Sequence, residues 1–159
     1  MGGGILPVTI HKGTVLFLFS REWIKAREDP GKWSDFGGSK EKGESYKETA
    51  IREGWEESSG ILGSKKTIEN LIKYKTLRYV TTGGYRTYVV LIDYDKMLPK
   101  KFRTKFLNIL EKKPGLVTKH DGLYEKDMLQ WVSFEDLKKN LNMFRPWYKN
   151  IVKLIINTF

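Results

Sequence analysis

Apolar residues open the chain in two short runs, ILPVTI (5 to 10) and TVLFLFS (14 to 20), parted by His11, Lys12 and Gly13. β-Branched and aromatic runs of this length, broken by a glycine, predict two strands joined by a tight turn. REDPGKWSDFGG (27 to 38) is punctuated by Pro30, Gly31, Gly37 and Gly38, which predicts a loop with a short extended piece from Trp33 to Phe36. A helix is expected from about Ser45 to Ser58, because Ser45 and Glu48 have the spacing of a capping box and Ser-Ser-Gly marks an end. From Thr67 to Val80 the pattern predicts mostly extended chain, and LRYVTTGGYRTYVVLIDY (77 to 94) predicts a hairpin through Thr82, Gly83 and Gly84.

The period then changes. In LPKKFRTKFLNILEKKPG (98 to 115), Phe102, Phe106, Ile109 and Leu110 share one helical face, Pro99 suits a first turn, and Pro114 with Gly115 is expected to stop the helix. A glycine-containing loop should lead to a last strand, MLQWVSF (128 to 134), with Ser133 capping a short helix through Leu137. The tail predicts a final helix with Trp147, Ile151, Leu154 and Ile155 as its buried stripe. Mixed strands and helices without repeats or linkers indicate an α+β or α/β sandwich, read as a single domain over 1–159.

Composition narrows the chemistry. The 159 residues, 40% hydrophobic and 13% aromatic, suffice for one core. No long apolar run and no signal-peptide pattern stands out, so the expectation is an intracellular, cytoplasmic protein that does not enter a membrane. With no cysteine a thiolate metal site is excluded, and with only His11 and His120 a multi-histidine site is not expected, so any metal must be held mainly by oxygen.

The net charge of +10 is unevenly spread. Residues 37 to 60 hold four Lys/Arg against six Glu, whereas residues 96 to 120 hold eight Lys/Arg against one Glu. A basic surface with an acidic inset suits a polyanionic substrate drawn to a cation site, although lysine-rich surfaces also arise for solubility alone.

The acidic inset is the predicted helix. At 100° per residue, Glu53, Glu56 and Glu57 fall within a sector about 100° wide, with Ile51 and Trp55 expected to anchor the opposite side. Like charges at i, i+4 destabilise an isolated helix by roughly 0.2–0.5 kcal/mol. A solvated face is the plain explanation; the chemical one is a site for Mg²⁺ or Mn²⁺, hard cations that take carboxylate oxygens. Gly37 and Gly38 just upstream would let backbone approach that ion.

Gly38, five residues, Glu44, seven residues, Arg52-Glu53, then Glu56-Glu57 resembles the Nudix box, and KWSDFGG and LQWVSFEDL (129 to 137) are similar to the family's approach to its paired glycines and to its late strand and helix. The resemblance implies an α/β/α sandwich around a mixed sheet and metal-dependent hydrolysis of a nucleoside diphosphate linked to another group. It further implies Glu53, Glu56 and Glu57 as metal ligands or base candidates, Arg52 as the residue that orients Glu53, Glu44 as support to the metal shell, and a Gly37 or Gly38 carbonyl as a further ligand.

The match has three departures: Gly54 replaces a bulky apolar residue, Ser59 replaces a glycine, and Gly60 takes the last apolar position, ahead of Ile61. They predict either close packing against Gly54 or a weaker helix, and an exit shifted by one residue. An additional acid outside the box is sought at Glu125 or Asp127, against the plain alternative of solvated loop acids.

Arg21, Arg78 and Arg86 are candidate phosphate contacts, and Trp23, Trp33, Tyr79 or Tyr88 candidate stacking partners, with core packing the usual fate of such aromatics; His11 is expected to face solvent. The basic run 96 to 120 suggests RNA as a possible partner, and hence capped RNA as an alternative substrate to a free nucleotide, with a diphosphoinositol polyphosphate as a third. A non-catalytic nucleic-acid-binding module on the same fold is the alternative of another class.

Overall fold

The computed structural model describes residues 1–119 and 122–159; His120 and Asp121, the end of the basic run and the residue after it, lie outside the described residues. Strands β1 (Gly2–His11) and β2 (Thr14–Glu22) pair antiparallel only where Val8–His11 meets Thr14–Phe17. Beyond that they part. β3 (Trp33–Ser34) joins β2 at Ser20 and Arg21, while β4 (Phe36–Ser39) joins β1 at Gly2–Ile5. The wedge so formed carries Gly37 and Gly38 into the sheet. Strands β5 (Thr76–Thr82) and β6 (Tyr85–Leu91) form the expected hairpin; β6 runs parallel to β1, and β7 (Lys126–Ser133) runs antiparallel to β2. The sheet is therefore mixed and seven-stranded.

Period-two alternation distributes side chains to two cores. Leu6, Val8, Phe17, Phe19 and Val89 face one side, against α5 (Phe134–Lys139), α6 (Lys149–Thr158) and Tyr148. Ile5, Leu18, Tyr88 and Val90 face the other, against α1 (Tyr46–Glu57), α2 (Lys65–Lys75) and α3 (Leu98–Lys112). This is the expected α/β/α sandwich.

Several local expectations are corrected. Thr67 to Lys75 is helical, because Ile68 and Ile72 are buried one turn apart and the Ser64 hydroxyl caps the Thr67 amide; β-branching there serves a helix face. Strand β1 begins at Gly2, because Gly2–Gly4 pair with both β4 and β6, and the close contacts around them leave no room for β-carbons. Pro114 stops α3 as expected, with the break at Lys113, the residue before the proline; in place of the expected loop, Pro114 then opens a further short helix, α4 (Pro114–Thr118). In α6 the buried stripe is Ile151, Val152 and Ile155; Leu154 is only partly buried, and Trp147 precedes the helix, 40% exposed, with its ring edge-on to Tyr85. The inward positions of α1 are Ala50, Glu53, Gly54 and Glu57, with Ile51 and Trp55 only partly covered.

All three box departures acquire a physical account. A β-carbon at Gly54 would lie 3.0 Å from Ile5 Cδ1 and 3.5 Å from Ile68 Cγ2, so the missing side chain lets α1 sit close on β1 and α2. The helix exit is not displaced. Ser59 N–H donates to the Glu56 carbonyl and Gly60 N–H to the Trp55 carbonyl, both at 3.0 Å, which is a Schellman ending with Ser59 in the left-handed position at φ 51°. A non-glycine residue there costs about 1–2 kcal/mol. Ser59→Gly is expected to raise the melting temperature by roughly 2–4 °C, after allowance for glycine's greater freedom in the unfolded chain; an unchanged or lower midpoint in thermal unfolding would contradict the assignment.

Candidate active site

Helix α1 starts from a fully formed capping box, with Glu48 N–H on Ser45 Oγ and Ser45 N–H on Glu48 Oε1, both 3.1 Å. Just before it, Glu44 accepts from the Glu41 amide at 2.8 Å, from Thr49 Oγ1 at 3.1 Å, and from Arg52 through Nε at 2.9 Å and Nη2 at 3.0 Å. The Arg52 hydrogen bonds hold the Glu44 carboxyl down at about 2. Both Glu44 oxygens thus serve to fix Arg52. Arg52 in turn donates to Glu53 Oε1 at 2.9 Å, to Glu56 Oε2 at 3.3 Å and to the Ser39 carbonyl at 2.9 Å, joining α1 to β4.

The acids beyond Arg52 lie on the wall of a cleft of about 520 Å³. Gly37, Gly38, Glu53, Glu56, Glu57 and Glu125 all line it. A β-carbon at Gly38 would stand 2.5 Å from Glu53 Oε1, and one at Gly37 would collide with the Tyr85 hydroxyl, so both glycines are required by close approach. Beneath them Asp35 is wholly buried and accepts from Tyr85 Oη and Thr87 Oγ1, each at 2.8 Å, fastening the wedge to β6. Burial raises its carboxyl to about 6 against the pull of those hydrogen bonds.

Burial also raises Glu53 to about 7, with Arg52 opposing and Glu56 adding to the rise. Glu56 is raised by burial, and Glu57 well above its ordinary value by burial, with Lys126 as the main opposing charge. Glu57 Oε2 is buried and has no hydrogen-bond partner. Like-charged, dehydrated carboxylates with an orphaned oxygen form an all-oxygen donor set for a hard divalent cation. The residues present therefore fit such an ion. Among the described residues no three acids converge on one point as they stand, since Arg52 draws Glu53 and Glu56 toward itself.

The other sequence candidates divide. Glu125 reaches the cleft; its Oε1 accepts from the Gly122 amide at 3.2 Å and its carbonyl from the Trp23 amide at 3.0 Å. Asp127 lies inside, held by Arg21 Nε at 2.8 Å and Nη2 at 2.9 Å, so this pair occupies itself and neither member lines the cleft. Arg86 lies between the Tyr46 and Tyr79 rings, and Arg78 over the Phe159 ring, both away from the cleft. Trp33 is 8% exposed and belongs to the core; Tyr79 and Tyr88 pack on each other. Trp23 is the candidate aromatic that does line the cleft. His11 stacks on Tyr94, centroids 3.9 Å apart.

Sequence reasoning missed Glu22, Lys126 and Arg145. Glu22 and Arg145 line the cleft and are ion-paired, and fully buried Lys126 donates to Glu22 Oε1 at 3.2 Å and Ser34 Oγ at 3.0 Å. Glu22 stands more than 100 residues from the other two, so no local pattern linked them; a lysine between Glu125 and Asp127 at a strand start was the one available signal.

No curated protein matches this sequence as a relative. Among solved structures it is similar to a C. elegans Ap4A hydrolase in a binary complex, at 15% identity and TM-score 0.54 over 97% of this chain and 92% of that one. It is also similar to RenU, a Nudix hydrolase from M. smegmatis, at 12% identity and TM-score 0.52 over 97% and 82%. These likenesses support the fold. The NUDIX domain family model matches residues 4–155, nearly the whole chain, so the chain belongs to the NUDIX family and is a hydrolase of phosphorus anhydrides.

Proposed function

We propose that this protein hydrolyses the diphosphate linkage of a nucleoside diphosphate derivative with the help of Mg²⁺ or Mn²⁺. The observation that carries the reading is the orphaned, buried Glu57 Oε2 on the same cleft wall as Glu53 and Glu56. Glu53, Glu56, Glu57 and the Gly37 or Gly38 carbonyl would hold the ion, which when bound neutralises phosphate oxygens and makes water a better nucleophile. Arg52 fixes Glu53 from one side, and Glu44 fixes Arg52. Glu125 is our candidate for the base that takes a proton from the attacking water, a role supported by its position on the cleft wall. Trp23 offers an aromatic surface on which a base could stack.

A second reading, capped RNA as substrate, is favoured by one observation. The basic run leads to the cleft, since Val117 of α4 lines it and Lys105 Nζ of α3 donates to the Ser59 carbonyl at the end of α1 at 2.6 Å. A panel containing dinucleoside polyphosphates, nucleotide sugars and capped RNA, assayed at two salt concentrations with products identified, tests both. Salt-insensitive cleavage of a free nucleotide supports the first. Capped-RNA cleavage lost at high salt, with poor cleavage of the free cap, supports the second. A wild type that binds RNA yet cleaves nothing in either metal would replace both with the binding-module alternative.

A further inference from the structure

Among the described residues, four cationic side chains line the cleft: Arg27, Lys40, Arg52 and Arg145. Arg52 has committed its three nitrogens to Glu44, Glu53, Glu56 and the Ser39 carbonyl. It is a tether for carboxylates and presents no spare donor edge to a substrate. Arg145 differs. Its backbone amide donates to the Trp33 carbonyl at 2.9 Å, its Nε donates to Asp29 Oδ2 at 2.9 Å, and its Nη1 donates to Glu22. The side chain is 12% exposed and its guanidinium lies 5.2 Å from the Trp147 ring centroid. Two edges are therefore fixed before any ligand arrives.

The remaining nitrogen, Nη2, lies 3.7 Å from Glu28 Oε2, too far for a hydrogen bond, and that glutamate side chain is 86% exposed. A carboxylate so open to water contributes little to stability and loses little by swinging out. A guanidinium held through Nε and Nη1 has lost its rotamer freedom in advance, which favours donation from Nη2 to a phosphate oxygen.

Resting on the hydrolase reading, we infer that Arg145 binds a phosphate of the substrate in this cleft, and that Glu28 is the internal anion the phosphate displaces. The plain alternative is a strap that only ties the 23–32 loop to the C-terminal segment. The two differ in the sign of one effect. A strap predicts that Glu28→Gln leaves anion binding unchanged or weakens it. Displacement predicts that removing the competing charge tightens it.

Methylenediphosphonate, whose P–C–P bridge resists hydrolysis, is titrated calorimetrically into wild type, Glu28→Gln and Arg145→Lys, with and without Mg²⁺. The expected results are a dissociation constant about two- to fivefold lower for Glu28→Gln and at least about tenfold higher for Arg145→Lys, with KM for a cleaved diphosphate moving in the same directions. Should Arg145→Lys fail to fold, Glu28→Gln decides alone, because its exposed side chain supports no core. Unchanged or weaker binding in Glu28→Gln, while diphosphate hydrolysis persists, overturns the inference and leaves the proposed function standing. Absence of any hydrolysis, with the binding shifts as stated, overturns the function and leaves the phosphate site.

Discussion

Glu57→Gln and Glu53→Gln are each expected to lower metal-dependent kcat by at least about a hundredfold, more than the loss of an outer-shell partner usually costs, while the protein stays folded. Glu57 is buried among like charges, with an oxygen that no protein group satisfies. Glutamine keeps the shape and removes the charge, so its neutral amide oxygen is a much weaker ligand to a hard cation than the carboxylate it replaces. Steady-state kinetics together with circular dichroism check this. A variant that keeps its wild-type rate removes the corresponding residue from the metal set. Thermal shift adds a second readout: the rise in melting temperature given by Mg²⁺ or Mn²⁺ to the wild type should shrink in both variants.

The metal-free protein is expected to be most stable near about pH 5 and to weaken toward pH 8. Asp35 at about 6 and Glu53 at about 7 lie above their ordinary values of 3.8 and 4.5, and Glu56 and Glu57 are shifted the same way. A group raised in the folded state contributes stability that is fully present below its unfolded pKa and lost as pH climbs through the folded one. For Glu53 that window runs from 4.5 to about 7, and the shift amounts to on the order of 3 kcal/mol.

Glu44 has the opposite sign. Lowered from 4.5 to about 2 by Arg52, it contributes above 4.5 and is lost below. Together they place the maximum between the two regimes. The metal-free melting temperature should therefore fall by roughly 5–10 °C from pH 5 to pH 8, and saturating Mg²⁺ should restore it at pH 8 and do little at pH 5. A metal-free curve that rises from pH 5 to pH 8 would contradict the placement of these acids.

The parts of the molecule that obey short-range rules were legible in the chain. Ser45 and Glu48 announced the start of α1, the turn at Gly83–Gly84 announced the hairpin, and the spacing from Gly38 to Glu57 announced the acidic wall. Where two periods overlap, pattern misled: Ile68 and Ile72 with their β-branched neighbours fit a strand as well as a helix, and only the Ser64 cap and packing under α1 decide. Single residues were harder still. Arg21 looked free for phosphate until the fold brought Asp127 to it from 106 residues away. Arg145 stands just ahead of the predicted final helix with no acid within eight residues on either side, yet the fold brings its guanidinium to Glu22 and Asp29 at the cleft. Ser59 and Gly54 looked like flaws in the motif; they are a left-handed helix end and a close helix–strand contact.

The central claim is that the acids of α1 form a cation site that drives cleavage of a diphosphate. Phosphorus NMR of one wild-type sample with a nucleoside diphosphate derivative tests it most directly. The account predicts that the diphosphate resonances persist in EDTA and give way to those of two cleavage products once Mg²⁺ or Mn²⁺ is in excess. Diphosphate resonances that stay intact with both metals across such a substrate panel, or that vanish equally fast in EDTA, would contradict it.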